Sequence, residues 1–231
     1  MKRIGLIGGM SWESSAIYYR LINEAVAERL GGSHSADLAM VSLDFAEVEA
    51  MQVAGEWDAA AELLSEAAIH LERARAEVLA FCTNTMHRFA AQVEAATSAR
   101  LVHIADATGA AVTAAGHSRV GLLGTRYTME ADFYAGRLAG RHGLEVLVPP
   151  QQDRELVHRV IYEELIHGRI EERSRVEYAR IGADLAVRGA ECLILGCTEI
   201  GMLVGPGDFE LPAFDTTEVH ALAVVSAALE A

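Results

Sequence analysis

Arg3-Ile4-Gly5-Leu6-Ile7-Gly8-Gly9 is answered by Arg119-Val120-Gly121-Leu122-Leu123-Gly124-Thr125, at an offset of 116 positions. Ala76-Glu77-Val78-Leu79-Ala80-Phe81-Cys82-Thr83-Asn84 is answered by Ala190-Glu191-Cys192-Leu193-Ile194-Leu195-Gly196-Cys197-Thr198, at an offset of 114. Two matches in the same order at nearly one offset mark an internal repeat. Each stretch is a short apolar run that reads as a strand: 4–7, 77–81, 119–123 and 191–195, with further candidates at 38–41 and 144–148. Helix-length periodic segments separate them, at about 13–30, 47–75, 126–141, 153–166 and 171–188. This is βαβ rhythm, so the expected fold is α/β, two pseudo-symmetric lobes that are each a parallel sheet flanked by helices. The expected first lobe is 1–104 plus 213–231, with the last helix at 216–231 returning to it, and the second lobe is 105–212. Gly31-Gly32, Pro149-Pro150 and Gly205-Pro206-Gly207 punctuate the chain but are too short to be flexible linkers.

Composition narrows the function classes. A chain of 231 residues that is 52% hydrophobic can bury a sizeable core. The net charge of −14 is spread along the chain and leaves no basic patch, which argues against nucleic acid and membrane surfaces as partners. No stretch approaches the roughly 18 apolar residues that span a bilayer. Met1-Lys2-Arg3 leads directly into a strand pattern rather than a signal-peptide core, so a cytoplasmic protein is expected. Three cysteines, an odd number without CxxC spacing, point to free thiols rather than disulfides or a metal site.

The repeat also selects the chemistry. It pairs Thr83 with Cys197, and Cys82 with Gly196. Ligands of open parallel sheets bind at the carboxyl ends of strands, so the loops after both repeated strands are expected to face one cleft. Side chains alternate along a strand, so only one of Cys82 and Thr83 can point toward Cys197. Two proton-transfer groups on opposite sides of a cleft suit removal of an α-proton from one face of a carbon and its return to the other. Racemisation requires this. Cys197 is the expected base: a thiol's reference pKa near ~8.5 falls beside backbone N–H groups, and Thr198-Glu199-Ile200 could open a helix there. Thr83-Asn84-Thr85 and the loop Gly8-Gly9-Met10-Ser11-Trp12 offer donors for a substrate carboxylate. Cys192 reads as a small core hydrophobe. Cys82 reads as packed behind the cleft, the alternative being that a local bulge makes it the partner of Cys197. His103 and His220 are given no role, His87 and His167 are candidate contacts or supports, and Trp12 and Trp57 are read as lobe packing or a dimer contact.

At Gly5-Leu6-Ile7-Gly8-Gly9-Met10-Ser11-Trp12-Glu13-Ser14, Thr83-Asn84-Thr85-Met86-His87, Leu122-Leu123-Gly124-Thr125 and Leu195-Gly196-Cys197-Thr198-Glu199-Ile200, the chain resembles the aspartate/glutamate racemase superfamily. It is similar to the bacterial aspartate racemase branch along nearly its whole length. The resemblance implies a two-lobed fold, no cofactor (neither pyridoxal phosphate nor metal), a homodimer, and opposed catalytic residues, here Thr83 and Cys197. It implies substrate contacts at Met10, Gln52, Asn84, Thr85, Thr125 and Thr198. His167 stands where many relatives carry a lysine, so the chain departs from the family there, and His167 is itself a candidate substrate contact. The family's usual Cys-Asn-Thr-x-His has Thr83 in the cysteine's place.

A threonine hydroxyl is far less acidic than a thiol, so Thr83 is expected to relay or donate a proton while Cys197 abstracts one; the resemblance implies that this cysteine faces the α-hydrogen of the L-enantiomer, so deprotonation of L-Asp or L-Glu is expected. Asymmetric kinetics are expected. The enantiomers have equal free energy in water, so apparent one-way action would reflect saturation or inhibition rather than unequal kcat/KM. Two other functions fit the residues: a single-cysteine decarboxylase or isomerase of small dicarboxylates, and an amino-acid-binding protein with little turnover.

Overall fold

A strand apolar at every position must be covered on both faces, and Ile4–Gly8 (β1) is buried throughout, as the centre of a parallel sheet requires. The computed structural model describes residues 1–230. After β1 come α1 (Trp12–Leu30), β2 (Leu38–Ser42), α2 (Phe45–Ala54), α3 (Trp57–Arg73), β3 (Val78–Phe81), a 3-10 helix (Thr85–Phe89), α4 (Ala90–Ala96) and β4 (Arg100–Leu101). The chain continues through α5 (Ile104–Ala114), β5 (Arg119–Gly124), α6 (Arg126–Glu130), α7 (Asp132–His142), β6 (Glu145–Leu147), α8 (Gln151–Glu163) and a 3-10 helix (Leu165–His167). It ends with α9 (Glu172–Val187), β7 (Cys192–Gly196), α10 (Ile200–Leu203), a 3-10 turn (Pro206–Asp208), β8 (Ala213–Asp215) and α11 (Thr216–Leu229).

The strands make two four-stranded parallel sheets with one topology, β2-β1-β3-β4 and β6-β5-β7-β8. The α/β reading therefore holds, and the repeat reaches into the packing. Any Cβ on Gly5 would stand 2.7 Å from Leu79 Cδ2 and 3.1 Å from Leu71 Cβ; on Gly121 it would stand 2.7 Å from Leu193 Cδ2 and 3.2 Å from Leu185 Cβ. The same glycine in the leading strand of each sheet lets the same helical leucine close onto it. In α3 the buried residues Ala60, Ala61, Leu64, Ala67, Ala68 and Leu71 recur at helical spacing and form the stripe that covers the first sheet.

The chain divides into two compact units, residues 1–103 with 220 onward, and residues 104–219. This moves the second boundary of the sequence reading, which gave 213–231 to the first lobe. β8 pairs with β7, Leu193 opposite Ala213 and Leu195 opposite Asp215, so 213–219 belongs with the second sheet and the division falls inside α11. Beyond that point Ala221, Val224, Val225 and Ala228 pack with Ile4, Tyr18, Ile22 and Val78. Position 231, where the last helix was expected to end, lies outside the described residues. Segment 47–75 is two helices, divided at Gly55, whose φ of +73° suits a glycine at a helix end. Segment 126–141 is likewise two, α6 and α7, separated by Ala131 in extended conformation.

Candidate functional site

In each sheet the chain builds the first strand, crosses to one side, and then returns to the other, so the switch of direction falls between β1 and β3, and between β5 and β7. The loops leaving those strands are where an open α/β sheet binds ligands. In the first unit, β1 runs into Gly9, whose φ is +86° and whose Cα lies against the Leu43 backbone, a position only glycine fills without strain. The Gly9 N–H donates to Ser15 Oγ at 2.8 Å, and Ser15 Oγ donates to the Ser11 carbonyl at 2.9 Å. Ser11 caps α1 by accepting from the Ser14 N–H. Met10 turns into the apolar cluster with Ile7, Phe81 and Met86.

β3 continues its ladder one residue past its end, the Cys82 N–H donating to the Ile7 carbonyl at 2.9 Å. Cys82 is fully buried among Leu6, Tyr18 and Ala80. Burial pushes its thiol well above the usual range, against a smaller opposite pull from Ser15. Thr83, Asn84 and Thr85 follow as the turn into the 3-10 helix, all nearly buried, with Thr83 at 9% exposure. His87 Nδ1 lies 2.9 Å from the Thr83 carbonyl. Gln52 is buried on α2, which leaves the carboxyl end of β2 under an Asp44 cap.

In the second unit Thr125 follows β5 and caps α6, accepting from the Thr128 N–H. β7 ends at Gly196, and the next three residues form a compact acid–thiol group. The Cys197 thiol donates to Glu199 Oε2 at 2.9 Å, and Thr198 Oγ1 donates to the same oxygen at 2.7 Å. Glu199 is buried, and Cys197 is 8% exposed.

This corrects the expectation of an acidified thiol. The Glu199 and Thr198 N–H groups do lower the Cys197 pKa, but burial first, and then the charge and hydrogen bond of the Glu199 carboxylate, raise it well above the usual thiol range. The expected helix, α10, spans only Ile200–Leu203, too short to build a substantial dipole. Cys192 opens β7, with its pKa pushed up to about 12, chiefly by burial.

Taken from Ile7 and Leu123, which the repeat equates, the ladders agree with the sequence match. Ile7 pairs with Phe81, and Leu123 pairs with Leu195. Two residues beyond each strand partner stand Thr83 and Cys197. The structure thus gathers Met10, Thr83, Asn84 and Thr85 on neighbouring loops of the first unit, and Thr125, Cys197 and Thr198 on neighbouring loops of the second. His167 is set apart: it is exposed at the end of its 3-10 helix, which packs against α10. Sequence reasoning missed the carboxylate partner of Cys197 and the burial of His103 and His220 beside His87. No three His, Cys, Asp or Glu side chains among the described residues are grouped to hold a metal ion, and no helix among them is long and apolar enough to cross a membrane.

The sequence pattern of the Asp/Glu/hydantoin racemases matches residues 7–224. A crystal structure of a candidate Asp/Glu racemase from Yersinia pestis is similar over 100% of both chains, at 53% identity and a TM-score of 0.93. That of an aspartate racemase homologue from Pyrococcus horikoshii is similar over 100% of both chains, at 35% identity and a TM-score of 0.86. The aspartate racemase of Picrophilus torridus, at 16% identity and a TM-score of 0.78 over 99% of this chain and 94% of its own, shares the fold.

Proposed function

The chain belongs to the Asp/Glu/hydantoin racemase family, and from that premise we propose that it racemises L-Asp and L-Glu without a cofactor, through Cys197 and Thr83. The observation that supports this reading most directly is the ladder register, which brings Thr83 and Cys197 to equivalent places after β3 and β7. Cys197 serves the α-hydrogen of the L-enantiomer, and Thr83 serves the opposite face of the same carbon. The resting thiol hands its proton to Glu199 along their 2.9 Å hydrogen bond, and the thiolate then takes the α-hydrogen as a proton. Thr83 returns a proton to the carbanion and regains one from solvent; Glu199 releases its proton to solvent. Protons balance over the cycle. Asn84, Thr85, Thr125 and Thr198 supply donors for the carboxylate and the enolate-like charge, with Met10 and Gln52 shaping the substrate's surroundings. His167, exposed beside α10, is a proposed substrate contact.

A cytoplasmic homodimer is part of the same reading. Trp12 and Tyr19 are 69% and 53% exposed, seven residues apart on α1, where a subunit contact would cover them. The function is tested by incubating the protein in D₂O without cofactor with L-Asp, L-Glu and other L-amino acids, following α-hydrogen loss by NMR and chirality by chromatography. Loss of the α-hydrogen with accumulation of the D-form is expected for the two acidic amino acids. Absence of exchange with every amino acid would contradict the reading and favour a decarboxylase or a binding protein.

A further inference from the structure

We infer that His87 is the positioning residue for Thr83, its imidazole holding the Thr83 carbonyl and so fixing the peptide that carries Thr83 and the Asn84 N–H. The inference rests on the reading of Thr83 as the second proton-transfer group. The need for such a hold comes from the backbone. The β3 ladder makes its last bond at Cys82, and the first backbone bond of the following 3-10 helix runs from the His87 N–H to the Asn84 carbonyl. The Thr83 carbonyl falls between these two regular patterns, in a buried place where an unpaired carbonyl is costly. His87 Nδ1 meets it at 2.9 Å.

A carbonyl only accepts, so Nδ1 carries the hydrogen, and in the neutral ring Nε2 holds the lone pair. Nε2 is buried and finds no hydrogen-bond partner among the described residues. Burial first, and then the neighbouring His103 and His220, keep the His87 pKa well below its usual value, against the pull of the Thr83 carbonyl and of the Val102 carbonyl, which His220 Nε2–H already engages.

The ring's orientation is fixed by its walls. Phe81 meets it edge-on at 5.0 Å between centroids, His103 lies at 4.7 Å and His220 at 5.3 Å. His220 is itself locked. Its Nε2 donates to the Val102 carbonyl at 2.8 Å, which leaves Nδ1 to accept from the Tyr18 hydroxyl at 2.7 Å. Tyr18, His220 and His103 thus form a rigid backing for one imidazole with one donor. In a trans peptide the C=O and the next N–H point to opposite sides. Drawing the Thr83 carbonyl toward His87 therefore turns the Asn84 N–H away from the histidines and sets the Thr83 backbone torsion from which its hydroxyl projects. The bond acts on direction, which is what proton transfer between fixed groups depends on.

The test compares His87→Leu with His87→Asn, whose amide N–H can reach the same carbonyl. α-Hydrogen exchange of the acidic amino acid that the wild type turns over is measured, with thermal unfolding to establish that both variants fold. His87→Leu should lower kcat about a hundredfold while moving KM by no more than about threefold, the pattern of misplaced chemistry rather than lost binding. His87→Asn should recover kcat to within about tenfold of wild type. Wild-type kcat in His87→Leu, or equal losses in the two variants, would overturn the inference. A second readout needs no turnover: long-range ¹H–¹⁵N correlation of the imidazoles should find His87 as the neutral Nδ1–H tautomer from pH 6 to 8. An Nε2–H tautomer, or titration within that range, would also overturn it. Lack of exchange in the wild type with the Nδ1–H tautomer present would instead count against the racemase reading, and not against the His87–Thr83 bond.

Discussion

Cys197 rests as a thiol because its nearest charged neighbour is an acceptor. Glu199 stabilises the S–H form through the 2.9 Å hydrogen bond and opposes the thiolate through its charge. Replacing it with Glu199→Gln removes the charge and the proton acceptor together. The Cys197 pKa should then fall, so that alkylation by iodoacetamide at pH 7, located by mass spectrometry, becomes faster. Exchange of the L-substrate α-hydrogen should meanwhile slow by roughly a hundredfold, since general-base assistance typically contributes that much or more. Faster alkylation with slower turnover separates the acceptor's role from simple exposure of the thiol. The positions of Thr83 and Cys197 were legible in the sequence because the repeat carries them as a pair. The Glu199 contact was not, because side-chain direction is fixed by alternation only while a strand lasts, and β7 ends at Gly196. The histidine group escaped for a related reason: His103 meets His87 within the first unit, and His220, far along the chain, reaches it only through the packing of α11 on the first sheet.

At the scale of elements, the close helix–strand contacts depend on two glycines whose replacement has a calculable consequence. In Gly121→Ala the new methyl would stand 2.7 Å from Leu193 Cδ2 and 3.0 Å from Leu185 Cδ1. Overpacking of this kind costs about 1–3 kcal/mol, which urea unfolding would report as a lower midpoint with an unchanged slope. Gly5→Ala should behave alike, since its methyl meets Leu79 and Ala76. The central strands were readable because they are continuous apolar runs. β4 and β8 were not, being two and three residues long at the sheet edges, where little burial marks the sequence. Helix α5 was passed over because alanine and threonine in Ile104–Ala114 blur the contrast between its buried and open faces. The missed β8 is what displaced the expected boundary at 213.

For the molecule as a whole, the buried histidines set an acid limit on stability. His220 titrates near pH 4 in the folded state, chiefly because of burial, against an ordinary value of 6.5. Below about pH 6.5 the unfolded chain gains a proton that the folded chain refuses, so the His220 contribution to stability falls from there to about pH 4 and flattens below. His220 alone accounts for about 3 kcal/mol of that loss, and His87 adds to it in the same direction. Urea midpoints across this range should decline in the wild type and decline less in His220→Gln, whose amide N–H can still meet the Val102 carbonyl. The function proposed for the whole chain is that two repeated strand–turn units divide one proton exchange between a thiol and a hydroxyl. The measurement that reaches it most directly is the rate of α-hydrogen exchange of L-Asp and L-Glu in D₂O by Cys197→Ala beside the wild type. Loss of exchange by at least a thousandfold, in a variant that unfolds at the wild-type temperature, is the predicted result. Wild-type exchange by Cys197→Ala would contradict the account, because the proton would then be leaving the substrate by another route.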